Sequence, residues 1–177
     1  MEKLLKRMQK FLKSLICGKF KSELKTLNFN SVALVFLGNH KLFYDNFSFS
    51  VLKFLRIKAK VFNLKVKVFY CYNKNGIYGS QFNLLNIWLK NFNGAVIFID
   101  SGLCLKKEEL GLIKIAHGKV CSVANQFGNE AKVFKDFNCL KIVLNCATTN
   151  GVFLNEMAKN NKAKFVANLI CKTLLTY

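Results

Sequence analysis

Two continuous apolar runs stand out along the chain, and each is typical of a buried β-strand. Residues 32–37 are Val-Ala-Leu-Val-Phe-Leu, and residues 95–99 are Ala-Val-Ile-Phe-Ile. Such runs occur in parallel strands whose two faces are both covered by other elements. Residues 65–72 start with alternating polar and apolar positions and end at the turn sequence Asn73-Lys-Asn-Gly76, which predicts a third strand.

Apolar residues at helical spacing fill the intervals between these strands. Residues 43–57 place Phe47, Val51 and Leu55 on one helical face. Residues 81–92 form a second such pattern, which ends at Asn93-Gly94. Later in the chain we predict three further strands and a closing helix, at residues 111–116, 119–123, 140–146 and 152–175 respectively.

The order of these elements predicts the fold class. Strands that alternate with helices form right-handed crossovers and a mostly parallel sheet. Residues 103–138 are less regular, so we expect a hairpin or meander there, with a charged surface loop at residues 106–109. The prediction is one three-layer α/β/α sandwich domain with a mostly parallel mixed sheet.

Residues 2–16 form a separate amphipathic pattern, with leucines at helical spacing and basic residues largely on the opposite face. Charges interrupt it too often for a secretory signal. We favour a helix packed on the domain, and the alternative is a helix that lies on an anionic membrane. The predicted organisation is a basic helix with its linker, residues 1–28, followed by a single α/β domain, residues 29–177.

Composition predicts a soluble, cytoplasmic protein. The chain has 177 residues, of which 52% are apolar, yet no window approaches the roughly 18 uncharged apolar residues that a membrane span needs. The seven cysteines are widely spaced and include no CxxC pair. That pattern predicts reduced core cysteines, and neither a disulfide framework nor a zinc site.

The formal net charge of +19 would ordinarily suggest nucleic acid or an anionic membrane as a partner. However, Arg7 and Arg56 are the only arginines, so the side chains that bind bases and phosphates in bidentate fashion are nearly missing. The lysines are scattered over the whole chain, and proline is absent. We therefore expect nonspecific attraction to polyanions and no specific nucleic-acid partner.

Candidate chemistry lies in the two loops expected after the fully apolar strands, because ligands of open α/β sheets bind beyond the carboxyl ends of strands. The first loop contains Asp45 and the second begins at Asp100, both in strongly apolar surroundings. A carboxylate there is costly to desolvate unless it is paired or used. If the two converge in a dry cleft, one keeps its proton while the other acts as a base toward water.

Plain structural roles compete with this aspartic hydrolase arrangement. Asp100 could cap a following turn through its side chain, which is common where a strand meets a loop. Asp45 could occupy the first turn of a helix, where the helix dipole stabilises a carboxylate. From spacing alone these roles are the more frequent ones.

Four segments resemble, in order and spacing, the YyaC-type sporulation proteins, relatives of the germination protease that degrades small acid-soluble spore proteins. They are Gly38-Asn-His-Lys-Leu-Phe-Tyr-Asp45, Tyr78-Gly-Ser-Gln-Phe-Asn-Leu84, Ala95-Val-Ile-Phe-Ile-Asp-Ser-Gly-Leu103 and Thr149-Asn-Gly-Val-Phe153. The resemblance covers about residues 31–175. It implies a fold like that of the phosphorylases and the hydrogenase maturation proteases. It also implies a peptidase that acts on a protein, such as a spore protein, in the cytoplasm, including that of the forespore.

Carried over residue by residue, the resemblance implies catalytic roles for two acids. Asp45 matches the aspartate of the family's Gly-Asp signature, and Asp100 matches that of its Ile-Asp motif. The substrate-binding residues that we expect around them are Gly38, Asn39, His40, Asn83 and Ser101.

The chain also departs from the family pattern. Tyr44 stands in place of the signature glycine, Ser48 and Phe49 replace a Gly-Pro pair, and Ser80 replaces a histidine. These departures support an alternative in which the cleft is catalytically degenerate and binds a peptide or protein partner without cleaving it.

No cofactor or metal is predicted. Asp45, Asp100 and His117 could mimic the metal-binding acids and histidine of the hydrogenase-maturation endopeptidases, which are distant fold relatives, but their spacing does not indicate a preorganised ligand set. A Cys/His nucleophile has less support still, because no cysteine lies in a glycine-framed turn.

Overall fold

The structure is a computed structural model that describes residues 14–23, 32–38, 42–62, 67–72, 87–117, 120–121, 133–134 and 139–174. Helical residues 14–23 are labelled α1 and helical residues 87–90 are labelled α3. The other elements are β1 (Val32–Gly38), α2 (Phe47–Phe62), β2 (Lys67–Tyr72), β3 (Ala95–Cys104), a single 3-10 turn (Lys107–Glu109), β4 (Ile113–His117), β5 (Val120–Cys121), β6 (Val133–Phe134), β7 (Cys139–Thr148) and α4 (Glu156–Leu174).

Five strands form one mixed sheet in the order β2-β1-β3-β7-β4. The first four run parallel to one another, and β4 runs antiparallel to β7. At the centre of the sheet, Val35 of β1 pairs with Phe69 of β2 and with Phe98 of β3. Strands β5 and β6 form a separate antiparallel pair. The predicted α/β class and mostly parallel mixed sheet are confirmed.

Helices cover both faces of this sheet, as continuous apolar strands require. On the first face, Leu34, Phe36, Ile97 and Ile99 pack in one buried cluster with residues of α1, α2 and α4. On the second face, the residues of β1 and β3 that alternate with these pack with Leu89 of α3; they are Val35, Leu37, Val96 and Phe98. The two faces of the sheet are therefore both buried, and the described residues form three layers.

The N-terminal segment contributes to the core. Phe20 of α1 is fully buried within the first-face cluster, and Ile16 and Cys17 pack against that cluster. Helix α1, which shares residues 14–16 with the predicted helix, therefore packs on the domain, and the choice between a packed and a membrane-bound helix for the preceding residues stays a prediction. Residues 2–13 of the predicted helix lie outside the described residues, and the division at residue 28 stays a prediction. No helix in the described part of the chain is long and apolar enough to cross a membrane.

Several element boundaries differ from the predicted ones for local reasons. Strand β3 continues five residues past Ile99, so Asp100 and Ser101 lie within a strand and not in a loop. Asp100 and Ser101 are polar, so the apolar pattern did not predict that the strand includes them. Their pairing with β7 nevertheless extends the strand to Cys104. Helix α2 begins at Phe47, later than predicted, because residues 42–45 form a turn.

The later elements were predicted with similar errors at their ends. The closing helix begins at Glu156 and not at residue 152, because the Asn155 side chain accepts the Ala158 N–H at 2.8 Å as an N-terminal cap. The predicted charged loop contains the short 3-10 turn. Within residues 103–138 the structure describes one antiparallel pair, β5 with β6, whereas β4 pairs antiparallel with β7, which lies outside that region.

Candidate functional site

The close approach of Gly38 to Asp45 forms one side of the site. Gly38 ends β1 with a φ of 127°, which L-residues with side chains rarely adopt. A Cβ atom at this position would collide with the carbonyl oxygen of Asp45 and would lie 3.1 Å from its Oδ1 atom. The absence of a side chain at Gly38 therefore allows the turn that carries Asp45 to fold back onto the end of β1.

The Asp100 carboxyl group is buried within β3, where strand alternation places it on the second face of the sheet. Its Oδ1 atom accepts the N–H of Ser101 at 2.8 Å, and its Oδ2 atom lies 3.4 Å from the Nζ atom of Lys141 on β7. Burial raises the pKa of Asp100, while the charge of Lys141 and the Ser101 hydrogen bond oppose the rise. The effect of desolvation is the largest, so Asp100 takes up a proton more readily than an exposed aspartate.

Ser101 projects to the opposite face, toward helix α2. Its Oγ atom accepts the backbone N–H of Phe47, the first residue of α2, at 3.3 Å. One residue later, the Ser48 hydroxyl donates a hydrogen bond to the Leu37 carbonyl of β1. The start of α2 is thus joined to the end of β1 and to Ser101 within β3, and this start lies two residues after Asp45.

Cys146 of β7 lies where the two sides of the site meet. The register between β3 and β7 shifts after Gly102, which leaves Cys146 as an extra residue in β7. Burial raises the pKa of its thiol to about 12. The Ser101 side chain and the charge of Lys159 oppose this rise, and the charges of Asp45 and Asp100 add to it. The thiol therefore stays protonated at neutral pH and is a poor nucleophile.

An aromatic cluster, formed by Phe43, Tyr44 and Phe153, borders the Asp45 turn. The ring of Tyr44 stacks on that of Phe153 at 5.5 Å between centroids, and the ring of Phe43 meets the same residue edge-on at 6.3 Å. Phe43 and Phe153 are exposed large apolar side chains, as is Leu103 at the end of β3. The carboxyl edge of the sheet is thus apolar as well as acidic.

The structure brings some of the predicted site residues together. Gly38 and Asp45 are in contact, and both aspartates lie near enough to Cys146 to influence its thiol. Asp100 and Ser101 are neighbours in sequence but face opposite sides of the sheet. The predicted substrate-binding residues Asn39, His40 and Asn83 lie outside the described residues, as does Asp136.

The backbone register of the sheet does not bring His117 level with Asp100. On β7, Leu140 pairs with His117 of β4, whereas Val143 pairs with Asp100 of β3. Three residues of extended strand separate these levels by about 10 Å. Moreover, Asp100 already has a lysine partner. Among the side chains that the structure describes, no three His, Cys, Asp or Glu residues form a potential metal site.

Two lysines of the site were missed from the sequence. Lys141 interrupts the apolar run at residues 139–144 of β7, and Lys159 occupies the buried stripe of α4 that continues through Ala163, Val166 and Ile170. A lysine at a position of core periodicity was the available signal, because lysine is almost never fully buried without a partner. The scattered lysines elsewhere in the chain concealed it.

Comparison with known proteins adds information on the fold. No protein-family model matches the sequence, and no curated protein matches it. The fold is similar to that of the NiFe hydrogenase maturation protease HycI from Thermococcus kodakarensis KOD1, with a TM-score of 0.54 and 15% identity. The similarity covers 83% of this chain and 94% of that chain. At this level of identity, the similarity shows a shared α/β fold alone.

Proposed function

We propose that the protein is a peptidase that cleaves a protein substrate at the carboxyl edge of β1 and β3, with Asp45 and Asp100 as the catalytic acids. The observation that carries the proposal is the buried carboxyl group of Asp100, whose pKa is raised by desolvation within a central strand, beside the end of β1. Carboxyl groups perturbed in this way are concentrated at functional sites. The protease-like fold and the adjacent Asp45 turn support the same proposal.

The proposed chemistry assigns different protonation states to the two acids. Asp45 as a carboxylate removes a proton from water, whose oxygen attacks the carbonyl carbon of the peptide bond. Asp100 in its protonated form gives its proton to the leaving nitrogen as the C–N bond breaks. One water molecule is consumed, a carboxylic acid and an amine are formed, and the proton taken up by Asp45 passes to Asp100 to restore both acids. The raised pKa of Asp100 suits the role of acid.

For this mechanism to operate, the Asp45 and Asp100 carboxyl groups must approach each other at the carboxyl edge of the sheet. Asp100 faces Lys141 on the second face, whereas the Asp45 turn leads into α2 on the first face. Substrate would therefore bind across the strand ends, between Gly38 and the final residues of β3. A separation of roughly 3 to 6 Å between the carboxyl groups is compatible with a shared proton, and more than about 10 Å is not.

The physiological role that we propose is cleavage of a spore protein during sporulation. This finer assignment rests on the four matched segments at residues 38–45, 78–84, 95–103 and 149–153. It names small spore proteins as the first substrates to test.

A second function is favoured by a specific observation. The ion pair between Lys141 and Asp100 engages one of the two proposed acids, and Ser101 is used to hold the start of α2. In this alternative the edge binds a peptide or protein through its exposed apolar residues without cleaving it. Binding without cleavage would be the expected behaviour.

Incubation of the purified protein with candidate spore proteins, followed by mass spectrometry, tests the proposal. Asp45→Asn and Asp100→Asn should each abolish cleavage, and the double variant should lose little more, because the acids act as one unit. Asp136→Asn is the control and should cleave normally. Cleavage that survives Asp100→Asn would overturn the aspartic mechanism. Retention of substrate without any cleavage products would support the binding alternative.

A further inference from the structure

Lys159 has the most deeply buried charged side chain among the residues that the structure describes. It belongs to α4, and its side chain is almost completely buried, with 1% of its surface exposed. Burial of an ammonium group costs free energy unless partners replace the lost water. The partners of Lys159 therefore indicate which part of the fold this residue serves.

The ammonium group of Lys159 has three partners, and two of them belong to Phe43. Its Nζ atom donates to the Phe43 carbonyl oxygen at 2.6 Å and lies 4.1 Å from the centre of the Phe43 ring. The third partner is the Glu156 carboxylate, at 2.7 Å and one helical turn away on α4. Charge-assisted hydrogen bonds of this length are stronger than neutral ones.

Phe43 lies in the same turn as Asp45. The N–H of Asp45 closes this turn by donating to the Leu42 carbonyl at 2.9 Å. The Phe43 and Tyr44 rings then pack on Phe153, which forms a β-bridge with Ala147 beside β7. The backbone of the turn is thus attached to α4, and its side chains are attached to the segment that precedes α4.

We infer that Lys159 is a positioning residue that holds the Asp45 turn against α4 and so sets the place of the Asp45 carboxyl group. As a contribution to catalysis this inference rests on the proposed function, although the attachment itself does not. The lysine touches no reacting atom in this assignment. It acts through the Phe43 carbonyl, two residues before Asp45.

Replacement of the ammonium group by an apolar group of similar length should release the turn and leave the sheet intact. In Lys159→Met, hydrogen exchange at the Asp45 amide should accelerate about tenfold to a hundredfold, the range expected for loss of a charge-assisted hydrogen bond. Amides of β1 and β3 should exchange as in the unchanged protein. The carbon-13 chemical shift of the Asp45 carboxyl carbon should also change at constant pH, whereas that of Asp100 should not.

The matched control is Lys164→Met, which removes an exposed lysine from the same helix. It should change neither the exchange rate of the Asp45 amide nor the chemical shift of the Asp45 carboxyl carbon. Equal acceleration in both variants would show a general charge effect and would overturn the inference. An unchanged Asp45 amide exchange rate and an unchanged carboxyl chemical shift in a folded Lys159→Met protein would overturn it as well.

A measurement on the unchanged protein covers the case in which Lys159→Met does not fold. The attached ammonium should give a slowly exchanging nitrogen-15 signal with contacts to Phe43, whereas Lys164 should exchange rapidly. Rapid exchange at Lys159 would overturn the inference. None of these readouts needs a substrate, so an attached turn in a protein that cleaves nothing would refute the proposed function alone.

Discussion

Asp100 and Ser101 are consecutive residues of β3 that serve opposite faces of the sheet. Asp100 pairs with Lys141 on the second face, while Ser101 accepts the Phe47 N–H on the first face. Strand alternation makes this division unavoidable. A single dipeptide therefore supplies a buried carboxyl group with a raised pKa and also anchors the helix that follows Asp45.

The buried carboxyl group of Asp100 should make stability depend on pH. Because its folded pKa is raised above 3.8, the folded protein keeps a proton that the unfolded chain has released. This contribution to stability is fully present below the unfolded pKa and is lost as the pH rises through the folded pKa. Across that window, the free energy of unfolding of Asp100→Asn should fall less than that of the unchanged protein.

Urea denaturation at a series of pH values from about 4 upward would measure this difference. Leu105→Ala changes an exposed side chain in the same region without altering any titratable group, and it should leave the pH dependence unchanged. Parallel curves for Asp100→Asn and the unchanged protein would mean that Lys141 cancels the effect of burial.

Ser101→Ala should destabilise the domain through the start of α2. The substitution leaves the buried N–H of Phe47 without the acceptor seen in the structure, which costs about 1–3 kcal/mol. Ser22→Ala is the control, because the Ser22 hydroxyl makes an exposed bond within α1, and it should change stability by less than about 0.5 kcal/mol. Thermal or urea unfolding of both variants measures their stabilities. Equal stabilities would contradict the role of Ser101 as an anchor of α2.

Gly38→Ala should displace the Asp45 turn. The added methyl group meets the Asp45 carbonyl oxygen, and the backbone at φ 127° is strained for alanine, so we expect a loss of about 1–3 kcal/mol. Gly18→Ala adds the same methyl group at an exposed helical position with nothing within 4 Å. That control should stabilise the protein by up to about 1 kcal/mol. Losses of similar size in both variants would contradict the close approach at Gly38.

The N-terminal segment should divide into a dispensable part and a structural part. Deletion of residues 1–13 should leave the domain folded and its partition between cytosol and membrane unchanged. Phe20→Ala should cost about 3–5 kcal/mol, because Phe20 is fully buried in the first-face cluster. Leu15→Ala, on the exposed side of α1, is the matched control. Loss of membrane association after the deletion would instead favour a helix that lies on a membrane.

The sequence by itself determined the class of the fold and the order of its central elements. Residues 32–37 and 95–99 are apolar without interruption, and only strands covered on both faces tolerate such runs. The intervening helical spacing then required parallel crossovers. The same reasoning singled out Asp45 and Asp100, because each follows an apolar run.

Only the tertiary structure decided what these acids touch. Strand β3 continues past Asp100 because β7 pairs with it, and that pairing joins residues more than 40 positions apart in the chain. Lys141 and Lys159 reach the site from β7 and α4, and neither lies near the aspartates in sequence. Local periodicity reports which face of an element is buried, whereas the partner of a buried charge depends on which elements pack together.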